Sequence, residues 1–136
     1  MHVLLVEDDD DTRDTIRHFL QRAGHDVRTA STGLEALGAV RHEAPDLVLL
    51  DVVIPDLNGY EVCRLIKEDL RHGTLRRRLP VILITARRVR EPRRESFIRD
   101  WTGADAVLYK PFGRHALLDM MSRTLQPARS VAGLAE

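Results

Sequence analysis

Glu7, Asp8, Asp51, Thr85 and Lys110 each stand at or just past the end of a short apolar run, although most of the chain separates the first from the last. Brought together, they would make a cleft of three carboxylates, one hydroxyl and one amine. Carboxylates crowded in a partly buried cleft repel one another, which raises their pKa values and costs stability unless a cation compensates them. An all-oxygen ligand set favours Mg²⁺, which prefers carboxylates, carbonyls and retained waters. A cleft so loaded accepts phosphate, and an aspartate in it can attack phosphorus. The transferred group then needs positive charge or hydrogen-bond donors on its equatorial oxygens. Lys110 and Thr85 supply both kinds. Only two of the 21 basic residues are lysines, and one of them is Lys110; its compact ammonium suits a point contact to a phosphoryl oxygen. Singly, Asp51 reads equally as a turn cap, Thr85 as a strand-end hydroxyl and Lys110 as a surface charge. Their joint placement is what points to chemistry.

That placement depends on an alternation of strands and helices. Val3 to Val6 is an unbroken apolar run, the pattern of a parallel strand covered on both faces. Thr15, Ile16, Phe19, Leu20 and Ala23 recur at helical spacing, so a helix is expected over about 11 to 23, stopped by Gly24. Val27 to Ala30 is a second strand. Ser31 or Thr32 caps a helix carrying Leu34, Leu37 and Val40 that ends before Pro45, and Leu47 to Leu50 is a third strand ending on Asp51. Residues 52 to 59 read as a loop, and Val62, Leu65, Ile66 and Leu70 mark a third helix. A strand over Val81 to Ile84, a weaker helix around Arg93 to Trp101, a turn at Gly103, a short strand over Ala106 to Leu108 and a helix over Ala116 to Leu125 complete the pattern. Five such alternations predict an α/β fold with right-handed crossovers, a parallel sheet and helices on both sides. In that architecture the working groups gather beyond the carboxyl ends of the strands. The domain is expected to span 1 to 126, with 127 to 136 a flexible tail.

At 136 residues the chain suits one domain, and 43% hydrophobic with 31% charged residues excludes a disordered acidic tail or a collagen-like repeat. The longest apolar runs are far short of the ~20 residues that cross a bilayer, and no signal segment opens the chain, so a cytoplasmic location away from membranes is expected. The single cysteine, Cys63, cannot form an internal disulfide, no zinc-type spacing accompanies it, and it reads as a helix residue. Net charge is zero, yet residues 1–60 carry 5 basic and 12 acidic side chains against 16 and 9 in 61–136. This asymmetry fits a cation site early and a partner surface late.

The segments Leu-Leu-Val-Glu-Asp-Asp (4–9), Pro-Asp-Leu-Val-Leu-Leu-Asp (45–51), Ile-Thr-Ala (84–86) and Lys-Pro-Phe (110–112), with Pro55 and Gly59 between them, resemble the receiver domain of two-component response regulators over residues 2–125. The form most resembled is the single-domain, chemotaxis-regulator-like one. The resemblance implies a flavodoxin-like (βα)5 fold with strand order 2-1-3-4-5. It also implies that Asp51 is the phosphoacceptor, Asp8 a direct Mg²⁺ ligand, Glu7 an acid reaching the metal through water, and Val53 the donor of a backbone carbonyl. Thr85 would be the switch hydroxyl, Lys110 the ion-pair partner of the phosphoryl group, and Pro111 would follow a peptide bond that is often cis. Gly59 would occupy a position that a Cβ would crowd, and Pro55 would stiffen the loop. The function implied is acceptance of a phosphoryl group from a histidine kinase or histidine phosphotransfer protein, by a stand-alone switch that acts on an unidentified downstream protein. A homodimer is compatible with this.

The chain departs from the family in several places. The family's aromatic three residues before the lysine is here Val107; Tyr109 shares its strand face, one step further on. The stretches 70–79 and 87–94 look longer than usual and carry four and five arginines. The second begins two residues after Thr85 and is a candidate readout surface for an acidic partner. The lack of a groove-filling element or base-reading motif speaks against nucleic acid as the partner of this domain. An enzyme reading also exists: Asp8-x-Asp10-x-Thr12 after a buried strand resembles the opening motif of haloacid-dehalogenase-type phosphatases and would make Asp8 the nucleophile. It leaves Asp51 without a role.

Overall fold

A computed structural model describes residues 1–73, 78–86 and 92–126. In chain order the elements are β1 (His2–Val6), α1 (Asp10–Arg22), β2 (Asp26–Ala30), α2 (Gly33–His42), β3 (Leu47–Asp51), α3 (Gly59–Arg71), β4 (Val81–Thr85), α4 (Pro92–Thr102), β5 (Ala106–Tyr109) and α5 (Arg114–Leu125). The strands pair in parallel in the order β2-β1-β3-β4-β5. This is the flavodoxin-like sheet implied by the motifs.

The unbroken apolar runs of β1, β3 and β4 have a direct cause, since alternate side chains enter two cores. Leu4, Val6, Val48, Leu50, Val81 and Leu83 face a cluster shared with Leu37, Val40, Val62 and Ile66 of α2 and α3. Val3, Leu5, Leu47, Leu49, Ile82 and Ile84 face the opposite cluster, with Ile16 and Leu20 of α1 and Leu117 and Met121 of α5. A central strand with both faces filled has no polar position to spare until its carboxyl end.

Element boundaries shift by one or two residues from the expected ones, for identifiable reasons. α1 begins at Asp10 because Asp9 caps it, accepting from the Thr12 N–H at 2.9 Å and the Thr12 hydroxyl at 2.6 Å. Thr32 is the cap of α2, accepting from the Glu35 N–H at 3.1 Å, and Asn58 caps α3 through the Glu61 N–H at 3.0 Å. Gly24, just past α1, has φ of +90°, the left-handed conformation expected of a helix stop. β4 extends to include Thr85, which pairs in register with Tyr109, while β3 ends on Asp51 as expected, paired with Ile84. Not every periodic apolar residue faces inward: Leu34 is 62% exposed at the start of α2, where Ala36, Leu37 and Val40 make the buried stripe.

Cys63 lies on α3, fully buried, with its thiol donating to the Thr102 carbonyl at 3.4 Å. Burial pushes the thiol pKa up to about 12. A neutral, enclosed thiol does not react, so Ellman's reagent should label Cys63 only after denaturant unfolds the chain. Stoichiometric labelling of the native protein within minutes would contradict this placement. The expected tail, 127–136, and most of the arginine stretch from Arg87 lie outside the described residues.

Candidate functional site

Four strand ends and the loops that leave them build the site. β1 carries the chain to Glu7 and Asp8, β3 ends on Asp51, β4 on Thr85, and β5 runs directly into Lys110. The parallel register sets β3 beside β1 and β4, and β5 beside β4, so these groups emerge at the same edge. Glu7, Asp51 and Thr85 are all buried, while Asp8 is exposed.

Lys110 crosses the cleft to reach both buried acids, with Nζ 2.5 Å from Glu7 Oε1 and 2.6 Å from Asp51 Oδ2. The other Asp51 oxygen, Oδ1, accepts from the Val53 N–H at 2.9 Å. Burial, followed by the hydrogen bond that Glu7 shares with Asp51, lifts the Glu7 pKa to about 7 against the opposing pull of Lys110. Burial works against the Lys110 ammonium, but its bonds to Asp51 and Glu7 outweigh that and raise its pKa. Both effects follow from placing two carboxylates and one ammonium out of water.

One carboxylate oxygen from each of Glu7, Asp8 and Asp51 lies within 4.8 Å of the other two. Three acids facing one ammonium leave negative charge in excess, and the donors are all hard oxygens, so this group could hold a metal ion. Among the described residues, no other cluster of acids, histidines or cysteines is so disposed.

The loop after Asp51 is held tightly. The Val52 N–H donates to the Ile84 carbonyl at 3.0 Å, and the Gly59 N–H to the Val52 carbonyl at 3.0 Å. A Cβ on Gly59 would stand 2.3 Å from the Asp51 carbonyl oxygen, which is why this position tolerates nothing larger, as expected from the motif. The Lys110–Pro111 peptide bond is cis.

Val107 and Tyr109 do share a face. With Thr85, Glu95 and Ile98 they line one small cavity between β4, β5 and α4. The Tyr109 ring is tied to α4 by its hydroxyl, which donates to Glu95 Oε2 at 2.7 Å. Tyr109 is also opposite Thr85 in the β4–β5 register.

Two contributors escaped the sequence reading. Arg13 reaches back from α1 to donate to the Glu7 carbonyl at 3.2 Å while pairing with Asp10 at 2.5 Å. Its position one turn into an acid-led helix was the available signal. Asp56 adopts φ of +64° in the loop beyond Asp51 and accepts from the Leu34 N–H at 3.2 Å. The Pro55-Asp56 dipeptide marks a turn, but its partner on α2 is not deducible from local sequence.

A family model described as the response regulator receiver domain matches residues 3–122. Among curated proteins, the transcriptional regulatory protein AfsQ1 of Streptomyces coelicolor is 44% identical over 85 residues, 62% of this chain and 35% of that protein. The transcriptional regulatory protein GltR of Pseudomonas aeruginosa is 35% identical over 127 residues, 93% of this chain and 50% of that protein. The chain thus spans about half or less of the length of these relatives. Among solved structures, the chemotaxis protein CheY4 of Vibrio cholerae superposes with a TM-score of 0.78 at 29% identity, covering 91% of this chain and 98% of that one. The BeF3-activated DrrB receiver domain gives 0.75 at 32% identity, covering 93% and 97%.

Proposed function

The chain belongs to the response regulator receiver family, and from that premise we propose that Asp51 accepts a phosphoryl group from a phosphohistidine donor and thereby switches protein–protein contacts. The observation that carries this reading is the Lys110 ammonium bonded at once to Asp51 and Glu7, which marks Asp51 as the carboxylate with a cation beside its attacking oxygens. In the transfer, an Asp51 oxygen forms a bond to phosphorus as the phosphorus–nitrogen bond breaks. The electron pair stays on the donor imidazole and an acyl phosphate is left on Asp51. The Val53 N–H orients the carboxylate, Lys110 offers charge to the phosphoryl oxygens, and Thr85 offers a hydroxyl donor from the adjacent strand end. When held by Glu7, Asp8, Asp51 and the Val53 carbonyl, Mg²⁺ would neutralise charge on the phosphoryl oxygens. The residues act as a self-modifying switch within a receiver domain spanning 1–126.

Receiver domains work between histidine kinases and downstream effectors. For this chain the donor is a histidine kinase or histidine phosphotransfer protein in the cytoplasm, and the output goes to a protein target or a second copy of the chain. Among the described residues no helix is long and apolar enough to cross a membrane. Arg94 and the longer arginine stretch before it remain the candidate partner surface.

Incubation with acetyl phosphate and Mg²⁺ should add one phosphoryl group that peptide mapping assigns to Asp51. Label on Asp8 would instead favour phosphatase-type chemistry, in which Lys110 would have no reason to bond Asp51.

The acyl phosphate should be long-lived. Hydrolysis needs a water held in line with phosphorus, and the Val53 side chain, 73% exposed beside the site, is apolar and gives such a water no hydrogen bond. Val53→Asn should speed loss of phosphate by about tenfold, read as the decay of the phosphorylated band after the donor is removed. An unchanged rate would show that this position does not set the lifetime.

A further inference from the structure

We propose that Asp56 is a positioning residue for the metal-binding loop, its carboxylate tying the turn after Asp51 to the first turn of α2. The inference rests on the reading of Asp51 and Val53 as parts of a phosphoryl-accepting metal site. Asp56 holds φ of +64°, a conformation that glycine adopts with less strain. A bare turn would therefore be served by glycine, and the side chain has a further use. Its Oδ1 accepts from the Leu34 N–H at 3.2 Å and from the Leu57 N–H. Alongside it, the Gly33 N–H donates to the Pro55 carbonyl at 3.3 Å. The helix start and the loop are pressed together, for a Cβ on Gly33 would meet the Leu57 carbonyl oxygen at 2.4 Å and Asp56 Oδ1 at 2.8 Å.

The consequence falls on Val53. Its side chain projects into solvent, so packing of that side chain does not fix its backbone. Its N–H nevertheless orients Asp51, and its carbonyl is the one proposed to face the metal. The loop is fastened at its two ends through Val52 and Gly59, and buried Ile54 sets its depth. Asp56 sets the direction in which the chain leaves, by anchoring it to the first turn of the helix that precedes β3. Supporting groups of this kind orient metal ligands without touching the metal.

The test is Mn²⁺ binding by electron paramagnetic resonance on the full chain, with thermal denaturation in parallel. Asp56→Gly keeps the backbone conformation and removes the tie; it should weaken Mn²⁺ binding by about tenfold, in the range found for such supporting groups. Asp56→Asn keeps an oxygen acceptor and should stay within about twofold of wild type. Gly33→Ala, which disturbs the same contact from the α2 side, should weaken binding in the same direction. Wild-type affinity in Asp56→Gly would overturn the proposal. So would an equal loss in Asp56→Asn, since the charge and not the tie would then matter. If Asp51→Asn binds Mn²⁺ as tightly as wild type, it is the metal-site reading that fails.

Discussion

Asp51→Asn should take up no measurable phosphate from acetyl phosphate or from a phosphohistidine donor, a loss on the order of a thousandfold or more, because an amide oxygen cannot replace the attacking carboxylate. The same silence should follow when EDTA removes divalent metal from the wild type. The variant should nonetheless fold: asparagine has the shape of aspartate, the Val53 N–H still finds an acceptor, and Lys110 keeps Glu7. Removing the Asp51 charge also takes away an influence that, after burial, raises the Glu7 pKa. The melting temperature in EDTA is therefore expected to equal or exceed that of wild type. Phosphate uptake persisting in Asp51→Asn, measured by intact-mass spectrometry, would move the nucleophile elsewhere. Collapse of the melting temperature would show that Asp51 is held for structure.

Lys110→Ala is expected to act on stability as well as on phosphate uptake. It strips the ammonium from Glu7 and Asp51, which are 2% and 4% exposed, and breaking such a buried pair from one side costs about 3 kcal/mol. The loss should depend on pH in a defined direction. Glu7 titrates near 7 in the folded chain, above its ordinary value of 4.5, so the folded state holds a proton that the unfolded state has released. The stability this contributes is complete below about pH 4.5 and is lost as pH rises through 7. Lys110 is an influence that lowers the Glu7 pKa, so its removal pushes the titration higher still. In EDTA, the stability gap between wild type and Lys110→Ala should accordingly widen between pH 5.5 and 8, measured by urea denaturation at each pH. A gap that stays constant would mean that Lys110 does not govern the protonation of Glu7.

Much of the site was legible because its residues end strands. An apolar run without alternation announces a strand buried on both faces, and the first polar residue after it must lie at the sheet edge. Glu7, Asp51 and Thr85 could be picked out on that ground alone; Lys110 follows β5, an edge strand of alternating burial, and was marked also as one of only two lysines. Residues whose roles depend on a partner from another element were not legible. Tyr109 could be assigned a strand face, but its bond to Glu95 on α4 comes from the helix–strand packing. Leu34 fitted the helical period yet points outward, because the first turn of α2 is turned toward the loop at Asp56. Nothing in the local sequence marks Lys67, yet it donates to Asp105 at 2.7 Å and to the Leu79 carbonyl at 3.0 Å, locking α3 to the start of β4 and β5.

By itself the sequence determined the alternation of elements, the parallel sheet with two cores, and the identity of the groups at its working edge. These follow from local periodicity and from the rule that parallel strands present their carboxyl ends together. Only the tertiary structure decided how those groups pair: that Lys110 bridges Glu7 and Asp51, that Asp8 stays exposed beside them, and that Asp56 fastens the loop to α2. The physical reason is that hydrogen bonds and ion pairs act over about 3 Å, a distance set by packing between elements far apart in the chain.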